Sequence, residues 1–120
     1  MAATSPNKKV VASYYASKGT EYARLLADDV ELVDWDPGVP ATGSVTKGKV
    51  AYVQNRKSRE FECEITRMTE EDNIVVAEGF ARGKKKEGGT WTVHFCDTYE
   101  LQDGKVKRAS THAVDVQEPA

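Results

Sequence analysis

The sequence predicts an α+β domain in which N-terminal helices pack on a strongly curved antiparallel sheet. Apolar residues recur at helical spacing mainly in the first half of the chain. From Phe61 onward, apolar and polar residues alternate instead with period two, and polar turns separate the alternating stretches. Helices followed by hairpin-linked strands are typical of an α+β fold, and a curved sheet under helices would enclose a pocket.

Composition restricts the classes of function. The chain has 120 residues, which fits a single domain over residues 1–120. Its net charge of -2 gives no basic field for nucleic acid or an anionic membrane. No apolar run approaches the roughly 20 residues of a membrane span, and the N-terminus lacks the apolar core of a signal peptide. Two cysteines are too few for a zinc site, so we expect a cytoplasmic protein without metal or cofactor.

The first half of the chain predicts two helices before the first strand. Ser5 caps the first helix, Pro6 suits its first position, and Gly19 is a natural stop. Thr20 caps a second, short helix with Tyr22, Leu25 and Leu26 on its apolar side, and Asp28-Asp29 closes it.

A strand and a third helix follow. Residues 30–36 read as a strand with apolar residues on both faces, ended by Pro37. After a loop to Ser44, Thr46 can cap a helix in which Val50 and Val53 face inward and Arg56 faces water. The remaining strands are predicted around residues 61–66, 73–82, 90–101 and 105–116.

Asp97 interrupts the cleanest strand pattern of the chain. Trp91, Val93, Phe95, Tyr99 and Leu101 share its face. A carboxylate there must be paired, hydrogen-bonded or neutral, because burying it charged and alone is costly. Full burial can raise its pKa by roughly 3–5 units, which would make it a proton or hydrogen-bond donor at neutral pH. Alternatively, it lies near the strand end and is solvated or bonded to a backbone amide.

Other polar residues are also candidates. Asp34 and Asp36 share one strand face about 7 Å apart, either as a proton relay or as a solvated strand end. Glu78 faces inward with Phe80, or faces water while the alternate residues of its strand face inward. His112 is a possible acid or base, or a histidine at the edge of the core. His94 lies on the face opposite Asp97 and is excluded from the same site.

Three motifs resemble those of the SnoaL-like and ketosteroid-isomerase-like families, within the nuclear-transport-factor-like cone folds. They are LLADDVELVDWDP, GKVAYV and FCDTYELQDGKV, in the same order as in those families. The resemblance implies a cone-shaped α+β barrel. It does not choose a reaction, because this fold carries isomerases, cyclases, dehydratases, epoxide hydrolases and non-enzymes.

The resemblance also implies positions for a site. In ketosteroid isomerases one Asp moves the proton, while a second, protonated Asp and a Tyr of the first helix bind the oxyanion. By motif, the second Asp falls on Asp97 and the base on Asp36 or Asp34. The Tyr would be Tyr14, or its neighbour Tyr15. The candidate substrate-binding residues are Tyr15, Trp35, Glu78, Phe80, Phe95 and His112.

The function expected from these features is acid–base chemistry on a small molecule. We expect a cofactor-independent isomerase, cyclase or dehydratase acting on a small carbonyl or hydroxylated substrate. The alternative is a non-catalytic module that binds a ligand or dimerises. The resemblance also implies a homodimer through the outer sheet face, which carries Thr90, Thr92, His94, Cys96 and Thr98.

Overall fold

Two helices and six strands make up the structure, a computed structural model that describes residues 5–57 and 60–117. The helical elements are α1 (Pro6–Ala16), a 3-10 turn (Glu21–Leu25) and α2 (Lys49–Arg56). The strands are β1 (Leu26–Trp35), β2 (Ser44–Lys47), β3 (Glu62–Glu71), β4 (Ile74–Lys84), β5 (Thr90–Gln102) and β6 (Lys105–Asp115).

The start of α1 follows the predicted capping chemistry. The Ser5 hydroxyl accepts a hydrogen bond from the backbone N–H of Lys8 at 3.1 Å, and Pro6 occupies the first turn. The helix ends at Ala16, three residues before the predicted stop. It buries Val11 and Tyr14 against the sheet, which places Tyr15 beside the inner sheet face.

The predicted second helix is shorter than expected. It is a single 3-10 turn, and the chain enters β1 at Leu26, so Asp28 and Asp29 lie in a strand and do not close a helix. Tyr22, Leu25 and Leu26 are all buried as the apolar spacing requires. Pairing of Leu26 with Val106 of β6 favours the strand over another helical turn.

The region before α2 differs from the prediction. Thr46 does not cap the helix, because it lies in β2 and pairs with Leu32 of β1. The helix begins at Lys49, two residues later than predicted, after Gly48 at a φ of 92°. Val50 is 74% exposed, and Tyr52 takes the buried position at 1% exposure. Val53 packs on the core as predicted.

The strands form one six-stranded mixed sheet in the order β2-β1-β6-β5-β4-β3. The predicted α+β fold is confirmed, but β1 runs parallel to β6, and β2 and β3 end the sheet without closing it. Register shifts interrupt the β3–β4 and β5–β6 ladders, and such bulges bend strands. At the first, a Cβ on Gly79 would collide with the Glu64 carbonyl oxygen, so glycine permits the close approach of the two strands.

The inner face of the sheet divides into a core and a cavity. The alternation predicted for β5 is confirmed: Phe95, Asp97, Tyr99 and Leu101 are all buried. Leu101 packs in the core with α1, the 3-10 turn and α2. Toward the other end of β5, from Trp91 to Asp97, the same face lines an open cavity, which places the chemistry at that end.

Candidate functional site

The cavity has a volume of about 490 Å³ and lies between the helices and the inner face of the sheet. Helix α1 contributes Tyr14 and Tyr15, and strand β5 contributes Asp97. Asp34 enters from β1 and Arg56 from α2. The volume falls in the range of about 300–1,000 Å³ that is typical of small-molecule sites.

Asp97 is the buried acid of this cavity, with 8% exposure. The Tyr15 hydroxyl donates to its Oδ2 at 2.6 Å, and the Thr111 hydroxyl donates to its Oδ1. Thr111 lies directly opposite in the β5–β6 register. The Tyr99 hydroxyl is 2.7 Å from the Tyr15 oxygen and 3.3 Å from Oδ2, so its single hydrogen favours Tyr15. Asp97 is thus held by a network of hydroxyl groups.

Burial raises the pKa values of the acidic groups in this network. Burial raises the pKa of Asp97, although the hydrogen bonds from Thr111 and Tyr15 and the positive charge of Arg56 oppose the rise. Burial also raises the pKa of Tyr15 well above its usual value, and the neighbouring Asp97 charge adds to the effect. Tyr15 therefore stays a hydroxyl donor, and Asp97 is shifted toward the neutral form that donates a hydrogen bond.

Of the two candidate tyrosines on α1, Tyr15 is the one that contacts Asp97. The Tyr14 hydroxyl instead shares a hydrogen bond of 2.7 Å with the hydroxyl of Tyr52 on α2. The Tyr14 and Tyr15 rings pack edge to face, with centroids 5.5 Å apart. Tyr14 lines the cavity and its hydroxyl is paired with Tyr52, whereas Tyr15 is the residue that donates to Asp97.

Asp34 forms an ion pair with Arg56, a residue that was expected to face solvent. Arg56 Nη2 donates to Asp34 Oδ1 at 2.7 Å, with side-chain exposures of 28% and 18%. Burial lowers the pKa of Arg56, but the hydrogen bond and charge of Asp34 outweigh it and leave that pKa raised. The expectation that Arg56 faces solvent is wrong, because this residue of α2 reaches Asp34 on β1.

Asp36 follows the end of β1 at the rim of the cavity. It is exposed, and its carboxylate makes no hydrogen bond or ion pair within residues 5–57 and 60–117. Trp35 lies at the same rim, where its indole N–H donates to the Ser110 hydroxyl at 3.0 Å. Of the two carboxylates near the end of β1, Asp36 therefore keeps its lone pairs available.

Three predicted substrate-binding residues lie outside the cavity. Glu78 and Phe80 are on the outer face of β4, because the small residues that alternate with them, Ala77, Gly79 and Ala81, face inward. His112 pairs across the sheet with Cys96, also on the outer face, and stacks on Trp35 at 5.7 Å. We therefore correct the placement of Glu78, Phe80 and His112. His94, excluded from the start, contacts Phe80 on that same face.

Phe95 lies in the cavity as predicted and stacks on Tyr15 with ring centroids 5.2 Å apart. It belongs to an aromatic wall that also contains Phe61 and Trp91, whose rings meet at 5.5 Å. Trp91 shares the period-two face of Asp97, so its position was readable from the sequence. Tyr52, Asn55 and Arg56 were missed, because their contribution depends on the register of α2.

In the part of the chain that the structure describes, no group of His, Cys, Asp or Glu residues is arranged to hold a metal ion. None of the helices described there has the length and apolar character to cross a bilayer.

Three solved structures with similar folds illustrate the likeness. A phenazine biosynthesis-related protein from Pseudomonas aeruginosa has a TM-score of 0.73 at 23% identity, over 91% of this chain and 75% of that one. A protein from Jannaschia sp. CCS1, described as a SnoaL-like polyketide cyclase, has a TM-score of 0.75 at 12% identity, over 94% and 91%. A protein from Kribbella flavida, described as a ketosteroid isomerase, has a TM-score of 0.70 at 18% identity, over 96% and 82%. At these identities the likeness establishes the fold alone.

No curated protein sequence matches this chain. The family model of the SnoaL-like domain matches residues 10–109, which include Tyr15, Asp34, Arg56 and Asp97. The resemblance predicted from the three sequence motifs is thereby confirmed, and the chain belongs to the SnoaL-like domain family.

Proposed function

We propose that this SnoaL-like domain is a cofactor-independent enzyme of the isomerase or cyclase type. It moves a proton on a small carbonyl or hydroxylated substrate. The observation that carries the proposal is the buried acid Asp97, hydrogen-bonded to Tyr15 in a cavity whose rim holds the unpaired carboxylate of Asp36. An acid shifted toward its neutral form and a separate available base are the two groups that enolisation requires.

The proposed reaction begins with the carbonyl oxygen of the substrate beside Asp97 and Tyr15. Asp36 removes a proton from the carbon next to the carbonyl, and the electron pair of that C–H bond forms an enolate. In its neutral form Asp97 donates a hydrogen bond to the oxygen, where negative charge develops, and Tyr15 holds that acid in place by donating to its Oδ2. An isomerase returns the proton at a different carbon, whereas in a cyclase the enolate carbon attacks a second carbonyl of the same molecule.

The choice of Asp36 over Asp34 follows from the ion pair with Arg56. A base must offer a lone pair to the substrate proton. Arg56 donates to one oxygen of Asp34 at 2.7 Å, so that oxygen is already engaged. Asp36 carries no such contact among the described residues. We therefore assign the base to Asp36 and keep Asp34 as the tested alternative.

One observation favours a second candidate function, a non-catalytic ligand-binding module. Both oxygens of Asp97 already accept a hydroxyl hydrogen bond, from Tyr15 and from Thr111. A buried acid that is satisfied in this way can have a purely structural role, in which it holds the cavity wall in place. In that case the cavity would bind a ligand without turning it over.

Proton exchange separates the two functions without knowledge of the natural substrate. Small enolisable ketones are incubated with the protein in heavy water, and loss of the α-proton signal is followed by NMR. The enzyme proposal predicts accelerated exchange for at least one ketone, and Asp36→Asn abolishes the acceleration. Binding of the ketones with exchange at the rate of the protein-free solution would instead support the binding module.

The proposal includes a homodimer formed through the outer sheet face. That face carries Phe80, His94 and His112, and Val114 on it is 62% exposed. Light scattering at micromolar concentration should give twice the chain mass of 13.2 kDa. Val114→Lys, which places a charge on this face, should shift the protein toward the monomer, whereas Ala12→Lys on α1 should not. A wild-type species of 13.2 kDa would refute the dimer.

A further inference from the structure

Arg56 is a cation in the cavity wall that the proposed proton transfer does not use. Its Nη2 donates to Asp34 at 2.7 Å and its Nη1 to the Asn55 side-chain oxygen at 3.2 Å. A guanidinium has more N–H donors than these two contacts occupy. The Arg56 side chain is 28% exposed and lines the cavity, so its other donors are accessible to a ligand with an acceptor group.

The contact with Asp34 leaves room for a second carboxylate. It joins one nitrogen to one oxygen, whereas a guanidinium can bind a carboxylate through two parallel hydrogen bonds. Asp34 and Asn55 thus fix the orientation of the group without saturating it. Since a planar guanidinium is matched to the geometry of a carboxylate, Arg56 is suited to a carboxylate more than to a neutral acceptor.

The neighbouring charges permit an anion at this position. Asp97, the buried acid of the same cavity, has a pKa raised by burial, and its two oxygens accept hydrogen bonds from Tyr15 and Thr111. Asp36 is exposed at the rim, where water screens its charge. Asp34 is already neutralised by the guanidinium that it contacts. No described residue therefore places an unpaired negative charge in the interior of the cavity.

The aromatic wall supplies the second half of a recognition surface. The Phe61 and Trp91 rings meet at 5.5 Å, and Phe95 stacks on Tyr15 at 5.2 Å. All of them line the same cavity as Arg56. Aromatic faces bind planar conjugated rings by stacking and by edge-to-face contact. A molecule with a flat apolar body and one anionic group would match both halves.

We propose that the cavity binds an aromatic carboxylate, with its carboxylate on Arg56 and its ring against Phe61 and Trp91. The proposal rests on the proposed function in one respect, that this cavity is the small-molecule site. It adds the chemical class of the ligand and gives Arg56 the role of a specificity-determining residue. Asp97, held in place by Tyr15, remains the group that faces the reacting carbonyl.

The test compares 2-naphthoate with 2-naphthamide, which share the ring and differ in charge. Binding to the full chain is measured by calorimetry and by amide chemical shifts. Wild type should bind the acid at least about tenfold more tightly than the amide, since hydrogen bonds between charged groups exceed those to a neutral amide. Arg56→Met should remove this preference by weakening the binding of the acid much more than that of the amide, and Arg56→Lys should retain part of it.

Arg82→Met is the matched control, because Arg82 also forms an ion pair, with Glu64, away from the cavity. It should bind the acid as wild type does. Equal affinity of wild type for acid and amide would overturn the proposal, and so would an unchanged preference in Arg56→Met. The comparison of the two ligands on wild type needs no variant to fold. The comparison also needs no turnover. Acid-selective binding without proton exchange would therefore support the carboxylate-binding role of Arg56 and refute only the proposed enzymatic function.

Discussion

Asp97→Ala is expected to lower kcat/KM for ketone enolisation by about 10²–10³-fold, whereas Asp97→Asn retains most of the activity. Removal of one donor to a developing oxyanion typically costs about that factor. Asparagine keeps the shape of the side chain and an N–H donor, but alanine keeps neither. Because the donor acts mainly in the transition state, ligand affinity should change much less than turnover.

Stability has to be measured alongside this comparison. In Asp97→Ala the hydroxyls of Tyr15 and Thr111 lose their acceptor, and an unsatisfied buried polar group costs about 1–3 kcal/mol. Urea unfolding gives the folded fraction, by which each rate is corrected. Tyr15→Phe is the companion variant, since it removes the neighbouring donor without adding a cavity. Wild-type rates in folded Asp97→Ala would show that Asp97 is a structural acid.

The second large effect is expected from Asp36→Asn. An amide cannot accept the substrate proton, so turnover should fall by about 10²–10⁴-fold, the usual contribution of a general base. Ligand affinity should be preserved, because Asp36 lies at the rim and holds no neighbouring described side chain in place.

Asp34→Asn is the matched comparison on the same strand. It removes the carboxylate that orients Arg56, so it should weaken binding of carboxylate ligands and change kcat little. The opposite result, with Asp34→Asn inactive and Asp36→Asn fully active, would assign the base to Asp34. Both assignments were open from the sequence, where the two residues differ only in their distance from Pro37.

The sequence predicted β5 and the inward position of Asp97 because that strand is long and strictly alternating. It left Glu78 undecided, because β4 carries apolar residues on both faces; the small residues Ala77 and Ala81 face inward and Glu78 outward. Which face of β4 is buried depends on the space that the helices leave over the sheet, and this is a property of the tertiary structure. No local pattern in one strand specifies it.

The largest error concerned the segment from Ser44 to Arg56. Strand β2 is only four residues long and pairs at the sheet edge, so it has too little alternation to be recognised. Its presence delays α2, which exposes Val50, buries Tyr52 and turns Arg56 into the cavity. The misplaced start of a single helix therefore concealed the only cation that lines the cavity among the described residues.

The most direct test of the account is a titration of the Asp97 side-chain carboxyl by ¹³C NMR, with the signal assigned from its loss in Asp97→Asn. Burial disfavours the charged carboxylate, so the account predicts a pKa clearly above the ordinary aspartate value of about 3.9. A raised value would leave a population of neutral acid able to donate to an oxyanion. A value at or below about 3.9 would mean that the Tyr15 and Thr111 hydrogen bonds hold a charged carboxylate, which contradicts the role of Asp97 as a donor.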